Sequence, residues 1–338
     1  MKLRGAISGF GEVAARAHLS GWLTRDDVSI RAVHEPIAER RHEAIRLIRN
    51  VRVYEDLELM LDGEALDFVD IASPPAMHAP AARLALKAGA HVLVEKPLCL
   101  SLAEFDELAA LAAGSGRVLM CVHNWKHAPS YALARDLLDR GRIGTVRSLS
   151  IERLRTAPAG AGGAGGRWRS SGATGGGILV DHGWHVFYLM QWLMGEAPCA
   201  ISAILASNQE GVEEVADLRV SFGSGRFASA LLSWRAEARK TSATIVGDTG
   251  TIEVGNERIV VTDREGRVET LAVNDIPDDS YHSAWFARMA AEFRDAVADG
   301  NNSGVARSNI DEARNALALI VAARESAKNR GTATKIIA

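Results

Sequence analysis

Between residues 3 and 123 short apolar runs alternate with Ala- and Leu-rich helical stretches, and this alternation leaves few folds open. "LRGAISGF" reads as a first strand, residues 12 to 23 as a helix, and "VSIRAV" as a second strand. "ALDFVDIAS", "AHVLVEKP" and "GRVLMCVH" continue the series, separated by segments such as "APAARLALKAGA" and "SLAEFDELAALAA". Strands spaced by helices predict a parallel sheet covered on both faces, wound by right-handed crossovers.

After residue 123 the texture changes. A helix near 129 to 140 ends at the glycine stop "DRGRIG". Strand-like runs then dominate to residue 272: "VRSLSIERL", "AISAILASN", "VADLRVSF", "FASALLSW", "TSATIVG", "GTIEV" and "RIVVT". Strands in sequence with short turns predict a mostly antiparallel sheet. Two helices, 282 to 299 and 308 to 329, close the chain. The expected architecture is α/β: an N-terminal doubly wound Rossmann domain over 1–122, then an α+β domain over 123–338 with a large, open, mostly antiparallel sheet. "APAGAGGAGG", residues 157 to 166, is expected to be a surface loop or a lid.

A chain of 338 residues is long enough for two cores, and its 47 % hydrophobic and 24 % charged content is ordinary for a globular protein. A net charge of −3 gives no reason to expect nucleic acid or an anionic membrane as partner. Cys99, Cys121 and Cys199 are too widely spaced for a disulfide framework or a zinc pattern. With no signal-like start and no apolar run long enough to span a bilayer, a cytoplasmic location is expected.

"GFGEVA" follows the first strand and opens the first helix. Gly9 permits the tight turn, Gly11 lets a pyrophosphate approach the backbone, and Ala14 suits close helix–strand packing. Helix-start N–H groups then favour the phosphates. Gly9, Phe10, Gly11, Glu12 and Val13 are therefore candidate cofactor residues. Glu35, 24 positions after Gly11, stands where a carboxylate accepts from an adenosine ribose and repels a 2′-phosphate, which argues for NAD over NADP. Arg40 and Arg41 nearby pull the other way.

"HVLVEKPL" puts Glu95 and Lys96 at a strand's carboxyl end, where doubly wound sheets bind ligands. A solvated Lys–Glu pair is the competing explanation. In "GGGILVDHGWHVFYLMQWLMG", spacings of four, three and four place Asp181, His185, Tyr188 and Trp192 on one helix face. Ile178, Val186, Leu189 and Leu193 fall on other flanks. A base for a hydroxyl proton is well served by histidine. "DHGWH" and the His123/His127 pair in "HNWKH" also raise a metal site, but no closed ligand set emerges and none is expected.

These motifs together resemble the glucose-fructose oxidoreductase/inositol dehydrogenase (Gfo/Idh/MocA) family. The resemblance rests on the GxGxxA turn, "ASPPAMHAPAARLALKAGAHVLVEKPL", "DLLDRGRIGTV", the "GGG…D…H" run and the closing "NIDEARNALALIVAARESAKNRG". It implies an NAD-dependent oxidoreductase moving hydride between nicotinamide and a secondary alcohol of a sugar, cyclitol or other polyol, with NADP the lesser option. It assigns the catalytic lysine to Lys96, the acid–base histidine to His185 and a substrate-orienting aspartate to Asp181. Ser73, Pro74, His78 and Glu95 would line the nicotinamide side of the cofactor cleft, and glycines 175 to 177 would allow close backbone approach beside it. Two positions depart from the family pattern: Tyr188, where members often carry an acid, and Lys126, where they often carry arginine. Both are substrate candidates, with Asn124, Trp168 and Arg169. The resemblance also implies a homodimer or homotetramer formed through the second domain's sheet. Two alternatives compete: a relative that retains NAD and cleaves glycosides, and a dinucleotide-sensing regulator without catalysis.

Overall fold

The computed structural model describes residues 2–158, 167–171, 176–275, 281–300 and 303–336. Most of the expected surface loop or lid, residues 159–166, and Gly175 lie outside the described residues. Two compact units emerge, Met1–Asn124 with Ile276–Asp311, and Trp125–Asp275 with Glu312–Ala338.

The first unit holds a six-stranded sheet: β1 (Leu3–Ser8), β2 (Val28–His34), β3 (Arg52–Tyr54), β4 (Phe68–Ile71), β5 (His91–Val94) and β6 (Leu119–Cys121). Its order is β3-β2-β1-β4-β5-β6, every pair parallel. This is the doubly wound Rossmann order, and its switch point falls between β1 and β4. Ser8 pairs with Ile71, so the chain leaving β1 at Gly9 meets the chain leaving β4 at Ser73. The first helix is wider than its sequence suggests, a π turn over Ala14–His18 followed by α-helix over Leu19–Leu23.

The core of this unit also draws on a helix from late in the chain. The helix Ser283–Asp299 buries Phe286, Met289, Ala290, Phe293 and Ala296 among Trp22, Phe68 and Ile7. Trp22 and Phe68 lie 4.8 Å apart, and Phe293 closes the cluster at 5.7 Å from Phe68. Aromatic packing of this kind outweighs position in the sequence, so Ile276–Asp311 groups with the first unit although it follows the second sheet.

The second unit is built on a nine-stranded sheet, β7 (Val146–Leu154), β8 (Pro198–Ser207), β9 (Glu213–Phe222), β10 (Phe227–Ser233), β11 (Lys240–Gly247), β12 (Gly250–Val254), β13 (Arg258–Asp263), β14 (Val268–Ala272) and β15 (Thr334–Lys335). The order is β14-β13-β12-β11-β7-β10-β9-β8-β15. Only the β7–β10 pair is parallel among the described strands. Alternation sets its faces: Leu149, Ile151, Leu218, Val220, Ala230 and Leu232 are buried, whereas Ile204, Leu231 and Val246 are exposed. Among the described residues no helix is long and apolar enough to cross a membrane.

Candidate active site

In the first unit the cofactor candidates gather at the carboxyl ends of β1, β4 and β5. Gly9 has φ +88°, and a Cβ there would fall 2.6 Å from the backbone N and Cα of Ser73. Only glycine lets the two strand ends approach so closely. A Cβ on Gly11 would meet nothing nearer than an Arg40 nitrogen at 3.9 Å, which leaves that turn open on its outer side. The hydroxyl of Ser73 is buried with no hydrogen-bond partner among the described residues. A glycine cradle, an orphaned hydroxyl beside it and first-turn N–H groups that a helix cannot pair internally fit a dinucleotide's pyrophosphate.

Glu35 is buried, and its carboxylate accepts from the Phe10 N–H at 2.7 Å and the Ile37 N–H at 2.9 Å. The expected ribose acceptor is thus also a brace for the glycine turn. Arg40 Nη1 stands 3.8 Å from it, whereas Arg41 is spent on the Glu35 and Pro36 carbonyls. His78 is fully buried and bridges the Pro97 carbonyl at 2.6 Å and the Ser73 carbonyl at 2.7 Å. Burial pushes its pKa down. It ties together the chain segments that follow β4 and β5.

Glu95 and Lys96 follow β5, and the Lys96–Pro97 peptide is cis. Beneath them lies a network that sequence reasoning missed. His18 Nδ1 meets the Asp70 carboxylate at 2.9 Å, and its Nε2 meets Glu95 Oε1 at 3.0 Å. Trp22 Nε1 donates to Asp70 at 2.7 Å, and Glu95 Oε2 accepts the Lys96 N–H at 2.9 Å. Carboxylates only accept, so both ring nitrogens of His18 must donate and the ring is an imidazolium. Burial alone would lower its pKa, but Asp70 and Glu95 outweigh that and raise it to about 9. For Glu95 burial opposes ionisation, yet His18 and Lys96 hold its pKa below the usual value.

In the second unit the glycine run seats a turn against a helix. Gly177 has φ +108°, and a Cβ there would strike Glu213 Oε2 at 2.0 Å. Its N–H donates to the Arg169 carbonyl at 2.9 Å. The close approach these glycines permit is therefore to the 167–170 turn and to Glu213. The helix that follows opens as a π turn, Leu179–Gly183, and continues as α-helix over Trp184–Met194. The wider turn rotates Asp181 relative to His185, so the pair departs from a simple i, i+4 alignment. Burial also runs round the helix: Asp181, His185 and Tyr188 are buried along with the apolar flanks, and Trp192 alone in the set is half-buried. Side chains of the same unit meet the polar groups, Arg169 at Asp181 and Tyr188 at His185.

Those contacts define the histidine's surroundings. His185 stacks on Trp125, ring centroids 4.1 Å apart and planes 3° from parallel. Its Nδ1 lies 2.9 Å from the Tyr188 hydroxyl, which accepts the Trp125 N–H at 3.0 Å. Tyr188 is fully buried, and its hydroxyl supports the imidazole. The Arg153 guanidinium lies 4.3 Å from the Trp125 ring and donates to Thr241 at 2.7 Å. Burial, with Arg155 adding, lowers the Arg153 pKa to about 9 despite the opposing pull of Tyr131 and Asp181. Arg169 donates to Asp181 at 3.1 Å and lies over the Trp168 ring at 4.6 Å. Lys126 pairs with Glu312 and sits 5.7 Å from the Trp192 ring. Asn124 has a buried side-chain oxygen without a partner among the described residues. Trp125 and Arg153 were missed because a tryptophan and a strand arginine carry no motif; only their contacts reveal them.

Residues 3–123 match the model of the GFO_IDH_MocA oxidoreductase family, NAD-binding Rossmann fold, and residues 131–253 match the GFO/IDH/MocA C-terminal domain. The dTDP-3,4-didehydro-2,6-dideoxy-alpha-D-glucose 3-reductase of Streptomyces violaceoruber is 35 % identical over 148 residues, covering 44 % of this chain and 43 % of that protein. The scyllo-inositol 2-dehydrogenase (NADP(+)) IolU of Bacillus subtilis is 28 % identical over 74 % of this chain and 76 % of its own length. The solved structure of GenD2 from gentamicin A biosynthesis in complex with NAD superposes with a TM-score of 0.83 at 26 % identity, over 100 % of this chain and 97 % of that one.

Proposed function

The chain belongs to the GFO/IDH/MocA oxidoreductase family, and from that premise we propose that it is an NAD-dependent dehydrogenase or reductase acting on a secondary alcohol of a sugar, cyclitol or related polyol. The reading rests above all on His185, a buried imidazole held on its face by Trp125 and at Nδ1 by Tyr188. A ring so held can take a hydroxyl proton without having to be ordered first. The nicotinamide, when bound, supplies the hydride acceptor or donor. Gly9, Gly11 and the Ser73 hydroxyl would hold the pyrophosphate, and Glu35 the adenosine ribose. Lys96 steadies the developing negative charge on the substrate oxygen. His185 carries the proton, and Asp181, oriented by Arg169, holds the neighbouring hydroxyl. Family likeness also supports a homo-oligomer formed through the nine-stranded sheet, whose exposed Ile204, Leu231 and Val246 would be covered; light scattering should return a dimer or tetramer mass.

The test follows NADH formation with a panel of free polyols. His185→Ala should lower turnover by about a hundredfold or more while NAD affinity, measured by calorimetry, stays unchanged. Near-wild-type turnover in that variant would remove the histidine from the mechanism. Sugar released from a glycoside without net NADH would point to transient oxidation instead.

A further inference from the structure

At the amino ends of the first unit's strands, away from Gly9 and Lys96, lies a half-open cavity of about 580 Å³. Arg4, Asp67, His91, Arg117, Arg294 and Val297 line it. Two of the three arginines are paired. Arg4 grips Asp67 through bonds of 3.0 and 2.9 Å, and Arg294 meets Asp27 at 2.7 Å. Arg117 is different: its Nε is buried with no acceptor among the described residues.

The neighbour of Arg117 sharpens the point. His91 Nδ1 accepts the Val118 N–H at 2.9 Å, so that nitrogen carries a lone pair. The proton of the neutral ring is therefore on Nε2, which faces Arg117 Nη1 at 3.5 Å. Burial, reinforced by Arg117, pushes the His91 pKa to about 4, so the ring is neutral at working pH. Two donors thus confront each other, beside a third that has no acceptor. Donors do not converge on one another beside a buried guanidinium Nε–H unless an acceptor completes the set.

We propose that this cavity is a binding site for a small oxyanion, a phosphate- or carboxylate-bearing metabolite, received by Arg117 and the Nε2–H of His91. A planar guanidinium takes two anionic oxygens at once, and the neighbouring imidazole N–H adds a third donor. The volume lies within the range of small-molecule sites. The proposal stands apart from the dehydrogenase reading, since none of these residues belongs to that machinery.

Calorimetry and thermal melting of the full chain test it, with inorganic phosphate and citrate as probes against sodium chloride at matched ionic strength. Phosphate, citrate or both should bind and raise the melting temperature beyond the chloride control. Arg117→Gln should weaken that binding by about tenfold or more, and Arg117→Met should melt no lower than wild type in anion-poor buffer. Binding of phosphate alone identifies a phosphoryl ligand, and binding of citrate alone a carboxylate. Both probes acting no better than chloride, or acting equally on Arg117→Gln, overturns the site; the latter would place phosphate on the glycine turn instead.

Discussion

Each unit buries a histidine, and the two are held in opposite ways. His18 lies between Asp70 and Glu95, with both nitrogens committed to carboxylates. His185 meets an indole face and a phenol hydroxyl, groups without formal charge. The first arrangement holds the proton well past neutral pH. The second places the ring without fixing a charge on it by these contacts. A buried imidazole is thus a structural cation or a candidate proton carrier according to what surrounds it, and its letter in the sequence does not distinguish the two.

The comparison breaks most visibly at His18. His18→Leu removes the cation between the buried Asp70 and part-buried Glu95 carboxylates and should cost about 3–5 kcal/mol in urea unfolding. Wild type should also depend on pH in a particular sense. The folded pKa of about 9 lies above the ordinary 6.5, so the stabilisation is complete below 6.5 and is lost as pH rises through 9. A stability curve flat between those values would mean that the ring is not held as a cation.

Tyr188→Phe tests the other histidine and should have a smaller effect. It leaves the Trp125 N–H without its acceptor, at a cost of about 1–3 kcal/mol. It should lower kcat more than it changes KM, because the imidazole loses its anchor while the remaining substrate contacts persist. An unchanged kcat would relegate Tyr188 to packing. The smallest effect is expected at Arg40, half-exposed beside Glu35. Arg40→Ala should weaken NADP binding by about two- to fivefold and leave NAD binding alone, as befits an exposed charge. Equal losses for both dinucleotides would mean that Arg40 does not read the 2′-phosphate.

The parallel, doubly wound sheet of the first unit was legible because strand–helix alternation and the glycine turn are written in consecutive residues. Gly9 and Glu35 stand where that pattern puts them, and most strands of the second sheet fall on the apolar runs that announce them. β3, β14 and β15 were not singled out, since short edge strands carry little apolar signal. The π turn at Leu179–Gly183 was invisible for another reason: the helix is buried nearly all round, so its apolar spacing does not report the phase of the turn. His18, Trp125 and Arg153 were missed because their meaning lies in partners distant along the chain. His18 reaches Asp70 and Glu95, and Arg153 reaches Trp125 and Thr241.

Because Phe286 and Phe293 complete the packing around Trp22 and Phe68, the nucleotide-binding unit is begun first on the ribosome and finished late. Its sheet must wait, with an aromatic flank bare, until translation has passed the whole nine-stranded region. A nascent chain stalled near residue 275 would therefore offer chaperones a half-clad β-α-β core, however well its first hundred residues had already paired.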